Sequence, residues 1–353
     1  MAKVARILSL NGGGMKGIIE ARFLQKFCLQ AGIQSNELWK YFDIICGTSI
    51  GGIQAIGLAS GMGADEFVDL FYNDGPYIFT TDPNVAGQRI ETVGKVSTLL
   101  QKNSSFYQNT YLKQCLDAKI GANTLMKDLK THLLVTAWNR TQGKINILSN
   151  IFGTQFYDLY GADYKAVDCA LATSAAPMYL PPHVINNEEL IDGGVFQNNP
   201  AIYGYTVAEA LFPTADKYCI LSVGCGSTPT QYIDINQLQK EFGENSVWTW
   251  LKDGYNWITN ISIDNIQRLF QLIEIAMTGS QEAATHTMGY LSANPLNRIY
   301  QYHFDFPFDH EEDNEMDIST STHLDHLTQL TYDKYNNIIE QSKILNFIGH
   351  LAL

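Results

Sequence analysis

Ser49 is the side chain with the strongest chemical setting in this sequence. It stands in Gly47-Thr48-Ser49-Ile50-Gly51-Gly52, directly after the apolar run Phe42-Asp43-Ile44-Ile45-Cys46. A serine on a tight strand-to-helix turn is pushed into solvent with strained backbone angles. Its neighbours two positions away must then lack side chains for the turn to close. Gly47 and Gly51 meet that demand. The stretch from Gly52 to Ser60 has no charged residue and reads as a helix. Its N-terminus points at the serine, where the helix dipole favours developing negative charge. A nucleophilic hydroxyl needs this setting, although a glycine-rich chain can also produce G-x-S-x-G by accident.

A second signal is Asn11-Gly12-Gly13-Gly14-Met15-Lys16-Gly17, between a short apolar strand (Arg6 to Leu10) and a run with helical spacing from Ile18 to Gln30. Such a loop presents several backbone N–H groups to an anion beside a helix N-terminus. Gly12-x-Gly14-x-x-Gly17 formally matches a dinucleotide fingerprint. The acidic residue expected at the end of the next strand is missing, because that strand ends in Cys46-Gly47-Thr48-Ser49. A Walker loop is excluded because Lys16 is followed by glycine. An oxyanion hole for Ser49 is the favoured reading, since the second strand delivers the serine to the same sheet edge. The third signal is Glu189-Leu190-Ile191-Asp192-Gly193-Gly194, a strand ending in an aspartate and two glycines. Asp-Gly-Gly alone is a common turn. It gains weight because a serine nucleophile needs a base.

The elements that must position these residues follow from the apolar periodicity. Further strands are expected at His132–Trp138, Lys144–Leu148, Tyr218–Gly224 and Arg298–Phe308. Helices are expected at Ala64–Phe71, Tyr111–Leu116, Asp168–Ala176, Ala201–Leu211, Asn265–Met277 and about Thr322–Leu345. Asp168–Ala176 is rich in small residues, for which close backbone packing is the reason, and Ser174 within it is assigned no chemistry. Thr81 to Ser105 is polar and reads as a surface excursion. Trp248, Trp250 and Trp257 lie close together, as a core cluster or a lipid-facing surface. The carboxylates between Asp305 and Asp325 have no calcium-loop spacing and read as a solvated acidic segment.

Composition narrows the class. The 353 residues are 45% hydrophobic and 17% charged, enough for a sizeable core in one large or two ordinary domains. A net charge of −13 argues against a nucleic-acid partner held through phosphates and against a broadly basic lipid-docking surface. The six cysteines (Cys28, Cys46, Cys115, Cys169, Cys219, Cys225) match no zinc or redox spacing and read as buried thiols of a reducing compartment. The first residues do not read as a signal peptide. The expected location is the cytoplasm, with action at membrane surfaces, and delivery by a route without a cleavable signal peptide stays open.

Together these segments resemble the patatin-like phospholipases. The likeness is carried by Leu10–Gly17, Gly47–Gly52, Ala172-Thr173-Ser174-Ala175-Ala176-Pro177 and Asp192-Gly193-Gly194, with smaller echoes at Asp74–Phe79 and Met178–His183, all in the family's order. It covers roughly Arg6 to Ser227. Asn11 departs from the aspartate frequent at that place in the family. The resemblance implies an α/β fold: a three-layer α/β/α sandwich with a mostly parallel central sheet, over residues 5–227, with a mainly helical C-terminal extension over 228–353 packed on it. It implies hydrolysis of acyl-lipid esters by a Ser–Asp dyad, without cofactor or metal. Carried over, Ser49 is the nucleophile and Asp192 the proton acceptor. Gly12, Gly13, Gly14 and the Ile50 N–H form the oxyanion hole. Lys16, Gly17, Gly47, Gly51, Gly193 and Gly194 support them. A free aspartate is a poor base for a hydroxyl, so Asp192 is expected in a partly apolar site that raises its pKa. The implied partners are a phospholipid or other acyl-lipid substrate and a membrane surface, with no nucleic acid.

Three other readings remain open. A Ser–His–Asp triad could recruit His303, His310, His323 or His326 after Asp192, or His183 before it. A lipid- or acyl-carrier-binding module without catalysis would keep the pocket and lose the chemistry. An enzyme held off until a partner or ligand acts could use Thr81–Ser105 or the C-terminal third as a lid.

Overall fold

Val4–Leu10 (β1) is buried from Ile7 onward. A strand buried on both faces needs parallel neighbours and helices on each side. It has both in the computed structural model, which describes residues 3–81, 105–151, 159–227 and 263–351. The other strands are β2 (Ile44–Gly47), β3 (His132–Asn139), β4 (Lys144–Ser149), β5 (Leu159–Tyr160), β6 (His183–Ile185), β7 (Glu188–Asp192), β8 (Lys217–Val223) and β9 (Ile299–Phe304). They form one sheet of order β5-β4-β3-β2-β1-β8-β9, with the β6–β7 hairpin joined to β3. Pairing is parallel from β3 through β2, β1 and β8 to β9. It is antiparallel between β3 and both β4 and β7.

The described α-helices of six residues or more are α1 (Ile18–Ala31), α2 (Ile50–Ser60), α3 (Ala64–Asp69), α4 (Thr110–Leu116), α5 (Ala166–Thr173), α6 (Ala201–Leu211), α7 (Ile263–Ala293), α8 (Ser321–Asn336) and α9 (Ile338–Leu351). Alternate residues of each central strand feed two cores. Leu8, Ile45, Leu133 and Leu221 pack with Phe23 of α1, Ile56 of α2 and Leu327 of α8. Ile7, Ile44, Leu134 and Ile220 pack on the opposite face with Ala201 and Ala208 of α6 and Met288 of α7. The period-two alternation thus builds the three layers. The expected mostly parallel α/β/α sandwich, with C-terminal helices, is present.

Residues beyond 227 do more than cover the sheet. β9 extends it, and Phe304 is fully buried with its ring centroid 4.4 Å from that of Phe23. Tyr302 of β9 donates to Glu340 Oε1 of α9 at 2.8 Å. Arg6 Nε of β1 donates to the Leu351 carbonyl at 2.7 Å.

Some boundaries differ from those the periodicity predicts. The single last helix is two, broken at Asn337, whose Oδ1 accepts the N–H groups of Ile339 and Glu340 at 3.0 and 3.4 Å and so starts a new helix. α7 runs on to Ala293 because Ala284 and Met288 continue its buried face after the strong apolar residues end. β9 stops at Phe304, where Asp305 accepts the N–H groups of Phe306 and Gly226, and the parallel pairing resumes only as a single bridge between Ser227 and Pro307. All of the polar excursion Thr81–Ser105 but its two end residues, and the Trp248, Trp250 and Trp257 cluster, lie outside the described residues.

Replacing Phe304 with alanine should lower the unfolding free energy by about 3–5 kcal/mol in urea denaturation. A loss below about 1 kcal/mol would show that β9 is peripheral to the core.

Candidate active site

The pairing register brings the site together. Leu10 of β1 is opposite both Gly47 of β2 and Val223 of β8, so three parallel strands end in line. β2 stops there, and β3 runs on. Gly47 pairs with Val135, and two residues further along the same flank of β3 Asp192 pairs with Ala137. The serine two residues beyond Gly47 therefore meets the last residue of β7.

Ser49 has φ 56° and ψ −125°, a region a residue with a side chain rarely occupies. Its N–H donates to Thr173 Oγ1 at 3.1 Å, and the Thr173 hydroxyl donates to the Thr136 carbonyl at 2.7 Å. These bonds from α5 and β3 hold the strained turn. The flanking glycines are required by close approach, since neither has positive φ. A Cβ on Gly47 would overlap the Gly51 carbonyl, and one on Gly51 would overlap the carbonyls of Leu10 and Asn11. At Gly52 a Cβ would lie 2.6 Å from Thr173 Cγ2.

Asp192 is fully buried. Its Oδ1 accepts the Gly194 N–H at 2.7 Å, and its Oδ2 has no hydrogen-bond partner among the described residues. Burial pushes its pKa up to about 7. The Gly194 N–H bond and the nearby Ser49 hydroxyl offset part of the rise. Gly193 packs so tightly on Thr136 that a Cβ would overlap its side chain, and one on Gly194 would lie 2.7 Å from Met277 Cε of α7. The β6–β7 hairpin that carries Asp192 turns through Asn186 and Asn187, with φ 51° and 65°. Two adjacent asparagines, which tolerate positive φ, are the sequence signal for such a turn.

The histidines are placed elsewhere. His183 contacts Asp168 at 3.0 Å. His303 contacts Ser222 at 2.9 Å, and His326 contacts Asp313 at 3.2 Å. His323 lies 3.8 Å from Asp313, and His310 is exposed. No histidine among the described residues hydrogen-bonds Ser49 or Asp192, so the three side chains of a Ser–His–Asp triad are not assembled.

The glycine loop sorts itself by where its N–H groups point. Gly12 donates to the Asn198 carbonyl at 3.1 Å and Met15 to the Met316 carbonyl at 2.7 Å. The N–H groups of Gly13, Gly14 and Ile50 have no acceptor among the described residues. Gly12 therefore drops out of the expected set of oxyanion donors. It is still required, because a Cβ there would lie 3.1 Å from Ser49 Cβ and overlap Asn198 Oδ1. Gly14 has φ 59° and abuts the Met316 carbonyl. At Gly17 a Cβ would lie 2.6 Å from Ile50 Cγ1, so this glycine lets α1 approach the start of α2.

Lys16 is buried and donates from Nζ to Asn314 Oδ1 at 2.9 Å, with Phe308 beneath it at 5.8 Å. Its ammonium is turned towards the segment after β9, and burial lowers its pKa. Glu20, which the sequence did not single out, is fully buried and ties the loop to α2. Its Oε1 accepts the Asn11 N–H at 2.7 Å and its Oε2 the Gln54 amide at 2.8 Å. Burial raises its pKa well above the usual carboxylate range.

Asn198 also emerges only from the structure. Its amide nitrogen donates to the Gly12 carbonyl at 3.2 Å and to Gln281 of α7 at 2.9 Å. Ser280 of α7 accepts the Asn198 N–H at 3.0 Å and donates to the Gly194 carbonyl at 3.2 Å. One turn of α7 thus braces both the glycine loop and the aspartate turn.

A pocket opens beside Ser49, with Ile53, Phe79, Leu112, Leu180 and Met316 among its walls. Its lining is almost wholly apolar, and Ser174, one of its few polar side chains, donates to the Ala170 carbonyl at 2.8 Å. The site can therefore hold an alkyl chain against a hydroxyl that faces a carboxyl of raised pKa and a set of open N–H donors.

The family model for the patatin-like phospholipases matches residues 8–204. The chain belongs to the patatin-like phospholipase family. The patatin match contains the glycine loop, Ser49 and Asp192, and stops before α7 and β9. Among its relatives is a protein named cGAMP-activated phospholipase from Vibrio cholerae serotype O1, 35% identical over 205 residues, which are 56% of each chain. Another of that name, from Escherichia coli, is 34% identical over 205 residues, 56% of this chain and 54% of its own. Patatin-like protein 1 of Arabidopsis thaliana is 28% identical over 294 residues, 73% of this chain and 67% of its own. The chain spans just over half the length of the two bacterial relatives.

The raised pKa of Asp192 carries a stability consequence. Its pKa lies near 7 in the folded chain, against 3.8 for an ordinary aspartate. Between these values the unfolded carboxyl is ionised while the folded one keeps its proton, so stability falls as pH rises. Above about pH 7 the penalty is constant, at most roughly 4 kcal/mol. Asp192→Asn removes it. The variant should therefore gain on the wild type by a few kcal/mol between about pH 4 and about pH 8 in urea denaturation. A difference that does not change with pH would show that the ionised carboxylate is well solvated.

Proposed function

We propose that this protein is a lipid acyl hydrolase of the phospholipase A or lysophospholipase type, acting on carboxylic esters of membrane lipids. The observation that carries the reading is the buried Asp192 against the Ser49 hydroxyl, at the wall of an apolar pocket. In this mechanism Asp192 takes the Ser49 proton as Oγ attacks the ester carbonyl. Negative charge develops on the carbonyl oxygen, and the N–H groups of Gly13, Gly14 and Ile50 receive it, aided by the α2 N-terminus. Asp192 then protonates the leaving alcohol, and an acyl-enzyme remains on Ser49. Water then gives a proton to Asp192 as its oxygen attacks the acyl carbon, and Asp192 returns that proton to Ser49 Oγ as the fatty acid leaves. A pKa near 7 suits a group that must both accept and return a proton near neutrality.

The substrate implies peripheral contact with a membrane. Two relatives named for activation by cGAMP favour a form of this reading in which the hydrolase is held off until a ligand binds. The region from residue 82 to 104 and the residues beyond 227 are the parts of the chain available for such control.

Fatty-acid release from mixed phospholipid vesicles tests the proposal. Ser49→Ala should abolish release, and Asp192→Asn should reduce it by roughly a hundred- to ten-thousand-fold. Wild-type activity should rise with pH through about 7 as Asp192 loses its proton. Release retained by Ser49→Ala would overturn the assignment. A wild type that a fluorophosphonate probe labels at Ser49, yet that releases fatty acid only after a ligand is added, would support the gated form.

A further inference from the structure

The segment between β9 and α8 lies beyond the family-matched residues, yet it reaches the pocket. It is tied down on both sides. Next to the glycine loop, the Met316 carbonyl accepts the Met15 N–H at 2.7 Å and Asn314 accepts Lys16 Nζ at 2.9 Å. Next to the facing wall, Asp317 accepts the Tyr107 hydroxyl at 2.6 Å, and the Tyr107 ring packs edge-on against Phe79 with centroids 5.4 Å apart. Asp313, buried at the start of the segment, is held by His326 of α8 at 3.2 Å. Between these ties Met316 is buried and forms part of the same pocket wall as Ser49 and Phe79. Its Cβ lies 2.9 Å from where a Cβ on Gly14 would stand, so Met316 sits next to a loop N–H and not at the remote end of the pocket.

We propose that Met316 is a specificity-determining residue, setting the width of the pocket where the acyl chain leaves the ester carbonyl, so that the site takes straight acyl chains and rejects chains branched beside the carbonyl. The inference deepens the hydrolase reading and rests on it. The oxyanion donors Gly13 and Gly14 fix where the carbonyl oxygen sits. The first carbons of the acyl chain then pass the next residue against that loop, which is Met316. Its backbone is held by the bond from Met15, independently of the side chain. A substitution at this position therefore changes the pocket wall and leaves the strap tied.

The experiment compares wild type, Met316→Ala, Met316→Val and Met316→Leu on three p-nitrophenyl or alkyl esters. One has a straight medium-length acyl group, one has the same number of carbons with a branch next to the carbonyl, and one has the branch in the alcohol. Alanine should raise the branched-to-straight acyl ratio by roughly tenfold or more, the discrimination one or two methylene groups supply in an apolar pocket. Valine should fall between alanine and wild type, and it reads the effect if the alanine variant does not fold. Leucine, of similar volume, should keep the wild-type preference. The ratio for the alcohol branch should not move. Unchanged acyl ratios in an active alanine or valine variant, or a change confined to the alcohol branch, would overturn the role of Met316 and leave the hydrolase standing. A wild type that cleaves none of the esters and takes no fluorophosphonate at Ser49 would overturn both.

Discussion

The site depends on how closely the turn after β2 lies over the end of β1. Gly51 sits against the carbonyls of Leu10 and Asn11 with no room for a methyl group, and Gly47 sits equally close to Gly51. This contact forces the chain to turn within two residues of the strand and puts Ser49 at positive φ. It also sets the start of α2 beside the glycine loop, where Gly17 meets Ile50. The N–H groups left without an acceptor among the described residues come from both segments. They share one small region only because the two backbones nearly touch.

Electrostatics then follow from burial. Asp192 has one firm backbone donor and lies in a wall of glycine, threonine and methionine, so its charged form is poorly solvated. Glu20, ten residues after Leu10, is just as fully buried but accepts two good donors and serves as a fixed strut. The difference between the two carboxyls lies in their neighbours. One faces a hydroxyl beside an open pocket, and the other faces amides in a closed core.

Much of this was legible in the sequence because it rests on local rules. The strand-to-helix turn at Ser49 announces itself through glycine spacing and flanking apolar runs, and most strands and helices appear within one or two residues of their predicted ends. Asp192 could be nominated from its Gly-Gly turn, but its position opposite Ala137 depends on a pairing register that no local pattern encodes. The same limit hid Asn198 and Gln281, which look like ordinary polar residues until α7 folds back over the glycine loop. Gly12 was grouped with its neighbours for want of knowing that Asn198 would take its N–H. The polar segment around Asn314 and Met316 read as a solvated acidic loop. Its buried ties to Met15, Lys16 and Tyr107 come from residues two to three hundred positions away.

The bond from Arg6 to the Leu351 carbonyl joins the first strand to the last described helix, and β9 completes the sheet only after the long α7. Contacts of such separation carry a large loop-closure entropy and form late in folding. During synthesis the N-terminal two thirds emerges with β8 as an open edge and with Phe23 lacking its Phe304 partner. A nascent chain in that state has an exposed strand and an unfilled core face, the features that recruit chaperones or promote aggregation. Its serine turn also lacks the Ser280–Gln281 brace beneath the loop and the aspartate. The site would thus be complete only after α7 and β9 have been made.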